Sequence, residues 1–203
     1  MNAPLAMPAA PLVDHPWVAQ AQFGSDGVLL ALSADGWLAL RRLGRVAMLE
    51  EIRMTCDPWQ RWRVCRLLDA PATLAPKAID ALLQSPRPER IEVLSERERD
   101  GVWTLDLRLQ AELVPFDDHF AQAPVIPGVL QVGWAIALAA PRLGTPVHCR
   151  EMHALKFQHL LRPGDRLVLT LRLDAVSGQL HFAYHLDGKH CSSGRLHVGA
   201  AHD

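Results

Sequence analysis

The sequence predicts an α+β protein in two parts: a small N-terminal α+β subdomain, then an antiparallel sheet wrapped around a long central helix. Three observations predict it. A run of prolines and arginines, Ser85 to Arg90, cannot lie inside a regular element and marks a boundary. Beyond it, apolar residues recur at every second position in several runs, the period of half-buried strands. Among those runs lies one segment, Gly128 to Leu138, that is apolar on every side and reads as a helix buried all round.

The bulk properties narrow the choice. At 203 residues the chain has room for one large domain or two small ones. With 49% hydrophobic and 21% charged residues it is neither disordered nor fibrous. Its formal net charge of -1 provides no basic field for a phosphate backbone, so no nucleic-acid partner is expected. The 4 cysteines (Cys56, Cys65, Cys149, Cys191) form no C-x-x-C and read as reduced thiols of a cytosolic protein. The apolar start is interrupted by prolines and has no basic region, so it is not an export signal. The longest apolar stretch, near Val129 to Ala140, is too short for a membrane span.

In chain order, residues 1–16 read as a flexible lead-in rich in Ala and Pro. Residues 17–85 form the first subdomain. Its pattern is helical from Val28, and Ser33 can cap a helix opening at Ala34, with Leu38, Leu40, Leu43, Val46 and Leu49 at helical spacing. Arg41, Arg42 and Arg45 take the outer face. Trp59 to Leu68 reads as a strand, DAPATLAP as a loop, and Lys77 to Gln84 as a short helix. Residues 86–90 are a linker.

Residues 91–203 form the second domain. Trp103, Leu105, Leu107 and Leu109 alternate with polar residues as one strand. The long helix follows, with Pro127 just before it, where a missing N–H costs little. His153 to Leu161, Leu167 to Leu173, Leu180 to Leu186 and His190 to Val198 then read as an antiparallel meander, with Asp187-Gly188 as a hairpin turn. The sheet must wrap the helix, because nothing else can cover it.

One residue stands out chemically. His119 follows Asp117 and Asp118 and precedes a proline-rich loop into the long helix. An imidazole titrates near neutrality and can move a proton. The free N–H groups of Gly128 and Val129 at the helix start can bind a carbonyl oxygen that gains negative charge. A base beside such donors suits proton abstraction next to a thioester carbonyl; the plainer reading is a loop histidine that caps a neighbour.

Two stretches carry a resemblance. HFAQAPVIPGVLQ looks like the H-F-P-G-x-P-x-x-P-G-V signature of β-hydroxyacyl-acyl carrier protein dehydratases of the hotdog fold, and KFQHLLRPGDRLVL resembles their downstream K-F-x-x-x-x-x-P-G-D-x-L pattern. The P-G-V-x-Q variant, with Gln131, is similar to the dehydratases of aryl polyene and xanthomonadin-type pigment pathways. The resemblance covers Ile91 to Gly199. It implies that His119 removes the α-proton and that the Gly128 N–H polarises the thioester carbonyl. Phe120, Val129 and Gln131 would bind substrate, whose acyl chain runs along the central helix. It also implies a homodimer or heterodimer with another hotdog protein. The substrate would be held on an acyl carrier protein or coenzyme A, with no cofactor beyond the phosphopantetheine arm and no metal.

The sequence departs from that pattern. Those dehydratases place Glu or Asp fourteen residues after the His, to protonate the leaving hydroxyl; here that residue is Gly133. Ala121 and Gln122 replace the Pro and Gly of H-F-P-G. Asp117, Asp118 or a water held by Gln131 are candidate substitutes. A partner subunit that is itself inactive, and a thioesterase on the same fold, are the alternative readings. Thioesterases generally activate water with a carboxylate, so His119 argues against the second.

WRVCRLLDAPATLAPKAIDALL resembles, degenerately, the end of acyl-adenylate ligases, with Lys77 at the position of their mobile catalytic Lys and Thr73 and Pro76 replacing the expected Asn and Gly. The resemblance implies a remnant ligase C-terminal subdomain, expected as a three-stranded sheet with flanking helices; the bland reading of Lys77 is a surface residue. Arg41, Arg42, Arg45, Arg61, Arg63 and Arg66 form a basic region, either a solvated face or a landing site for an acidic carrier protein. His181 and His185 share a strand face at a spacing that can hold a metal, and the plainer reading is again a solvated face. Trp59, Trp62, Trp103 and Trp134 read as core or interface residues.

Overall fold

A computed structural model describes residues 10–56, 62–118 and 123–198. The chain divides into two compact units, one of residues 1–88 with 116–124 and one of residues 89–115 with 125–203.

In the first unit, α1 (Ala10–Val13) precedes the hairpin β1 (Val18–Phe23) and β2 (Gly27–Leu32). Then come α2 (Ala34–Leu43), α3 (Arg45–Cys56), β3 (Val64–Leu68) and α4 (Pro76–Gln84). The sheet order is β1-β2-β3, with β1 antiparallel and β3 parallel to β2. Ser33 caps α2, its hydroxyl accepting from the Gly36 N–H at 3.1 Å. Leu29 packs with Ile79 and Leu83 of α4. Ser25 donates its N–H and hydroxyl to Asp80 at 2.7 and 2.9 Å, tying the β1–β2 turn to the same helix.

Three expectations fail here. The run from Val28 is a strand, not a helix: every residue of β2 is buried, so its apolar run shows neither period. The expected single helix from Ala34 to Leu49 is broken at Gly44, whose φ of 79° leaves the helical region. The break turns Leu38 and Val46 outward, and both are exposed. Residues 10–16 are not a loose lead-in, because Leu12 and His15 are buried.

The second unit contains β4 (Glu92–Arg99), β5 (Val102–Arg108), α6 (Gly128–Leu143), β6 (Glu151–Phe157), β7 (Arg166–Asp174), β8 (Gln179–Leu186) and β9 (Lys189–His197); the short α5 (Pro115–Asp118) lies between β5 and α6. The sheet is antiparallel throughout, in the order β4-β5-β7-β8-β9-β6. Leu105, Leu107, Leu167, Leu169, Leu171, Leu180, Phe182 and Tyr184 are buried, and the residues between them form the opposite face. α6 packs on this sheet through β7, and Gly144 at φ 65° ends it with a left-handed cap. This is the hotdog arrangement. The meander is shorter than expected: β7-β8-β9 follow one another, while β6 lies beyond β9 at the far edge. β4 was not expected at all. Six of its eight residues are exposed and most are charged, so no apolar alternation marks it.

Candidate functional site at the start of the central helix

α6 begins at Gly128 behind Pro127, whose φ and ψ of -60° and 150° are extended. The Leu130 and Gln131 N–H groups donate to the Pro127 carbonyl at 3.1 and 3.2 Å. The Gly128 and Val129 N–H groups make no hydrogen bond among the described residues, as expected of the first helical turn. They are donors with a positive helix end behind them. Val129 is 72% exposed.

Gly128 sits at a close approach. A Cβ there would lie 2.6 Å from the tip of the half-exposed Phe157 ring, so a side chain would make that ring shift. Phe157 ends β6, where the register slips between His153 and Lys156 and Ala154 takes φ 51°. Phe157 lies within the K-F motif, but the pairing of a helix-start glycine with an aromatic across the fold leaves no local signal.

Gln131 was expected to bind substrate. The structure instead engages it within the fold. It is buried, its amide NH₂ donates to the Ile126 carbonyl at 3.0 Å, and its side-chain oxygen accepts from the Ser192 hydroxyl at 2.5 Å. Its backbone carbonyl accepts from the Tyr184 hydroxyl at 3.0 Å, and burial pushes that phenol far up from its ordinary value. Gln131 therefore fixes the first turn of α6 against β8, β9 and the loop before the helix, and both ends of its amide are occupied.

α6 is not buried all round. Gly133 and Ala137 are exposed with Val129, one turn apart along a single stripe. Outside its own helix, no atom of the described residues lies within 4 Å of a Cβ built at Gly133, so the position where the dehydratases carry an acid is open among them. The two proposed substitutes that the structure describes are engaged elsewhere. Asp117 forms an ion pair with Arg87, both side chains being largely covered, and Gln131 is committed as above. His119 and Phe120 lie outside the described residues, as does the side chain of Asp118.

The remaining candidates are placed as follows. Lys77 is exposed in the first turn of α4. Arg45, Arg53, Arg63, Arg66 and Arg87 line a cavity of about 400 Å³ in the first unit, with Glu50 the one acid among its lining residues. Three of these guanidiniums are held by backbone carbonyls, Arg45 on Cys65 at 2.8 Å, Arg53 on Trp62 at 3.3 Å and Arg66 on Ser85 at 2.6 Å. His181 sits between Arg172 and Arg195, an environment hostile to a cation, and no group of three metal-ligating side chains occurs among the described residues. Trp62 and Trp134 are buried as expected; Trp103 carries Arg142 over its ring at 5.9 Å, and Trp59 and Arg61 lie outside the described residues.

Fold and site together define the second unit as a hotdog domain whose helix start offers two free amide donors. The ApeI-like family model, described as ApeI dehydratase, matches residues 95–195. The chain is 35% identical over 66 residues to a 3-hydroxyacyl-[acyl-carrier-protein] dehydratase FabZ of Syntrophobacter fumaroxidans, covering 29% of this chain and 45% of that one. It is 34% identical over 91 residues to the FabZ of Streptococcus thermophilus, covering 40% and 64%. The chain thus spans less than two thirds of the length of these two relatives. Among solved structures it is similar to the dehydratase heterocomplex ApeI:P from Xenorhabdus doucetiae, at 27% identity and TM-score 0.49, over 53% of this chain and 96% of that one. The second unit is therefore similar in sequence to hotdog dehydratases. The family match begins at residue 95, so it does not extend to the ligase-like segment.

Proposed function

We propose that the segment matched by the family model, residues 95–195, dehydrates β-hydroxyacyl thioesters to trans-enoyl thioesters, with the acyl group delivered on the phosphopantetheine arm of a carrier protein. The observation that carries this reading is the family match over residues 95–195, which contains His119, Gly128 and the helix start with its two free donors. His119 takes the α-proton, and the electron pair left on the α-carbon forms the double bond as the β-carbon–oxygen bond breaks. The Gly128 N–H stabilises the negative charge that builds on the thioester oxygen. The hydroxide leaves as water once it receives a proton. Position 133 supplies none, and Asp117 and Gln131 are engaged. The proton then comes from the His119 imidazolium or from a group of a second subunit.

That chemistry favours a paired protein. β6 is an edge strand exposed along its whole length, Met152 and Phe157 included, and offers its backbone to a second hotdog subunit. The heterologous pair, in which this chain supports an active partner, is the second reading, and Gly133 is the observation that favours it. The arginine-lined cavity of the first unit supports docking of an acidic carrier protein. In the same reading the first unit, with its three-stranded sheet and helices, is a remnant of a ligase C-terminal subdomain. An acyl chain of the aryl polyene type is the proposed substrate class.

The test is incubation of the full chain with β-hydroxyacyl carrier proteins of several chain lengths, followed by mass spectrometry for loss of one water. Activity abolished in His119→Ala supports the reading. Release of free thiol instead would identify a thioesterase. A folded but inactive wild type would leave the partner-subunit reading, which copurification with a second hotdog protein then tests.

A further inference from the structure

The sheet of the second unit has a face turned away from α6, and basic side chains on it are arranged in a row. Cross-strand pairing sets Arg172 of β7 opposite His181 of β8, His181 opposite Arg195 of β9, and Arg195 opposite His153 of β6. One row further along, Lys156 of β6 lies opposite Ser193 of β9. The neighbours of these residues, Leu171, Phe182, Gly194 and Leu196, are buried on the helix side, so the row belongs to the open face. Arg172, His181, Arg195 and Lys156 surround a groove of about 450 Å³ together with the hydroxyl-bearing Thr170 and Ser193.

Arg172 and Arg195 flank His181, so the fixed positive charges of the row are these two guanidiniums, with Lys156 at the edge. Two acids stand near the row. Asp174 acts on Arg172 and His181 from the end of β7, where its carboxylate also accepts from the Val176 and Ser177 N–H groups at 3.0 and 3.3 Å. Glu151 pairs with His153 at 3.0 Å. Among the described residues no carboxylate forms an ion pair with Lys156, Arg172 or Arg195, and none lines the groove.

We propose that this groove is a binding site for a small ligand carrying two or more phosphate groups. Arg172 and Arg195 are separated by one strand, so their backbones stand roughly 10 Å apart at the usual strand spacing. Two long guanidinium side chains rooted at that separation can each take one phosphate, with His181 between them and Lys156 at the edge. Forked N–H donors match phosphate oxygens in pairs, and the hydroxyls of Thr170 and Ser193 add neutral donors. The volume is that of a small-molecule cleft. The site is separate from the helix start, which lies on the other side of the sheet.

The test is calorimetric titration of the full chain with inorganic pyrophosphate in low salt, repeated with Arg172→Gln/Arg195→Gln and with His119→Ala. The expected result is saturable binding of one pyrophosphate, at least tenfold weaker in the double variant and unchanged in His119→Ala. Orthophosphate should bind more weakly than pyrophosphate. Both arginines are exposed, and an unchanged circular dichroism spectrum and melting temperature would show that the double variant is folded. Absence of saturable binding, or equal affinity in the double variant, overturns the proposal. So does a poly-glutamate peptide that binds more tightly than pyrophosphate through the same arginines, which would reassign the face to an acidic protein.

Discussion

The two sheets of this chain are covered in different ways. β2, the central strand of the three-stranded sheet, is buried at all six residues, with apolar packing on both faces. β7, inside the six-stranded sheet, buries Leu167, Leu169 and Leu171 towards α6 and turns Arg166, Thr170 and Arg172 outward. A strand covered on both faces has no side chain free for chemistry, and the arginines lining the cavity of the first unit lie on α3, at β3 and on the segment after α4 instead. A strand covered on one face divides the tasks. Its inner residues hold the helix whose start is the candidate active site, and its outer residues are free to carry a charge pattern.

Substitutions sharpen that contrast. The largest effect is expected for Leu30→Ala in β2, about 2–5 kcal/mol by chemical denaturation, because a fully buried leucine leaves a cavity. Val168→Ala on the outer face of β7 should stay within about 0.5 kcal/mol. Comparable losses at the two positions would break the comparison. Next is Gln131→Leu, expected to cost about 1–3 kcal/mol because Ser192 and the Ile126 carbonyl lose a buried partner. Adding Ser192→Ala to that variant should cost less than the sum of the two single changes.

Two glycines on one helix should respond with opposite sign. Gly133→Ala fills open space on an exposed helix position and should stabilise by about 0.5–1 kcal/mol. Gly128→Ala must displace the Phe157 ring and should lower the melting temperature. The smallest effect concerns pH. Burial, then the flanking Arg172 and Arg195, hold the His181 imidazole below its usual value of 6.5, with Asp174 opposing. The unfolded chain therefore takes up this proton first as the pH falls. The stability His181 contributes is present above about pH 6.5 and is lost below it. The difference in melting temperature between pH 7.5 and pH 5.5 should be smaller in His181→Gln, and an unchanged difference would contradict the assignment.

What could be read in the chain follows the same division. β5, β7, β8 and α4 are one-sided, so their periodicity exposed them in the sequence. β2 hid because burial on both faces erases alternation, and β4 hid because an exposed edge strand of charged residues has no apolar face to alternate. The helix start was legible from Pro127, Gly128 and Val129, since local chain chemistry creates its free donors. The ties of Gln131 to Ser192 and Tyr184, and the ring of Phe157 over Gly128, join residues far apart in the chain, and no local pattern records them. The cationic row depends on strand register. His181 stood out only as half of a possible metal pair, and its alignment with Arg172 and Arg195 exists only once β7, β8 and β9 are paired.

The account rests on α6 presenting a dehydratase site whose acid position is open. The measurement that tests this most directly is the rate of water loss from a β-hydroxyacyl thioester by Gly133→Glu, beside wild type and Gly133→Glu/His119→Ala. A restored general acid is worth roughly 10²–10⁴-fold. The account predicts a rate at least tenfold above wild type in the single variant and none in the double variant. A folded Gly133→Glu protein with an unchanged rate, or a double variant that still loses water, would contradict it.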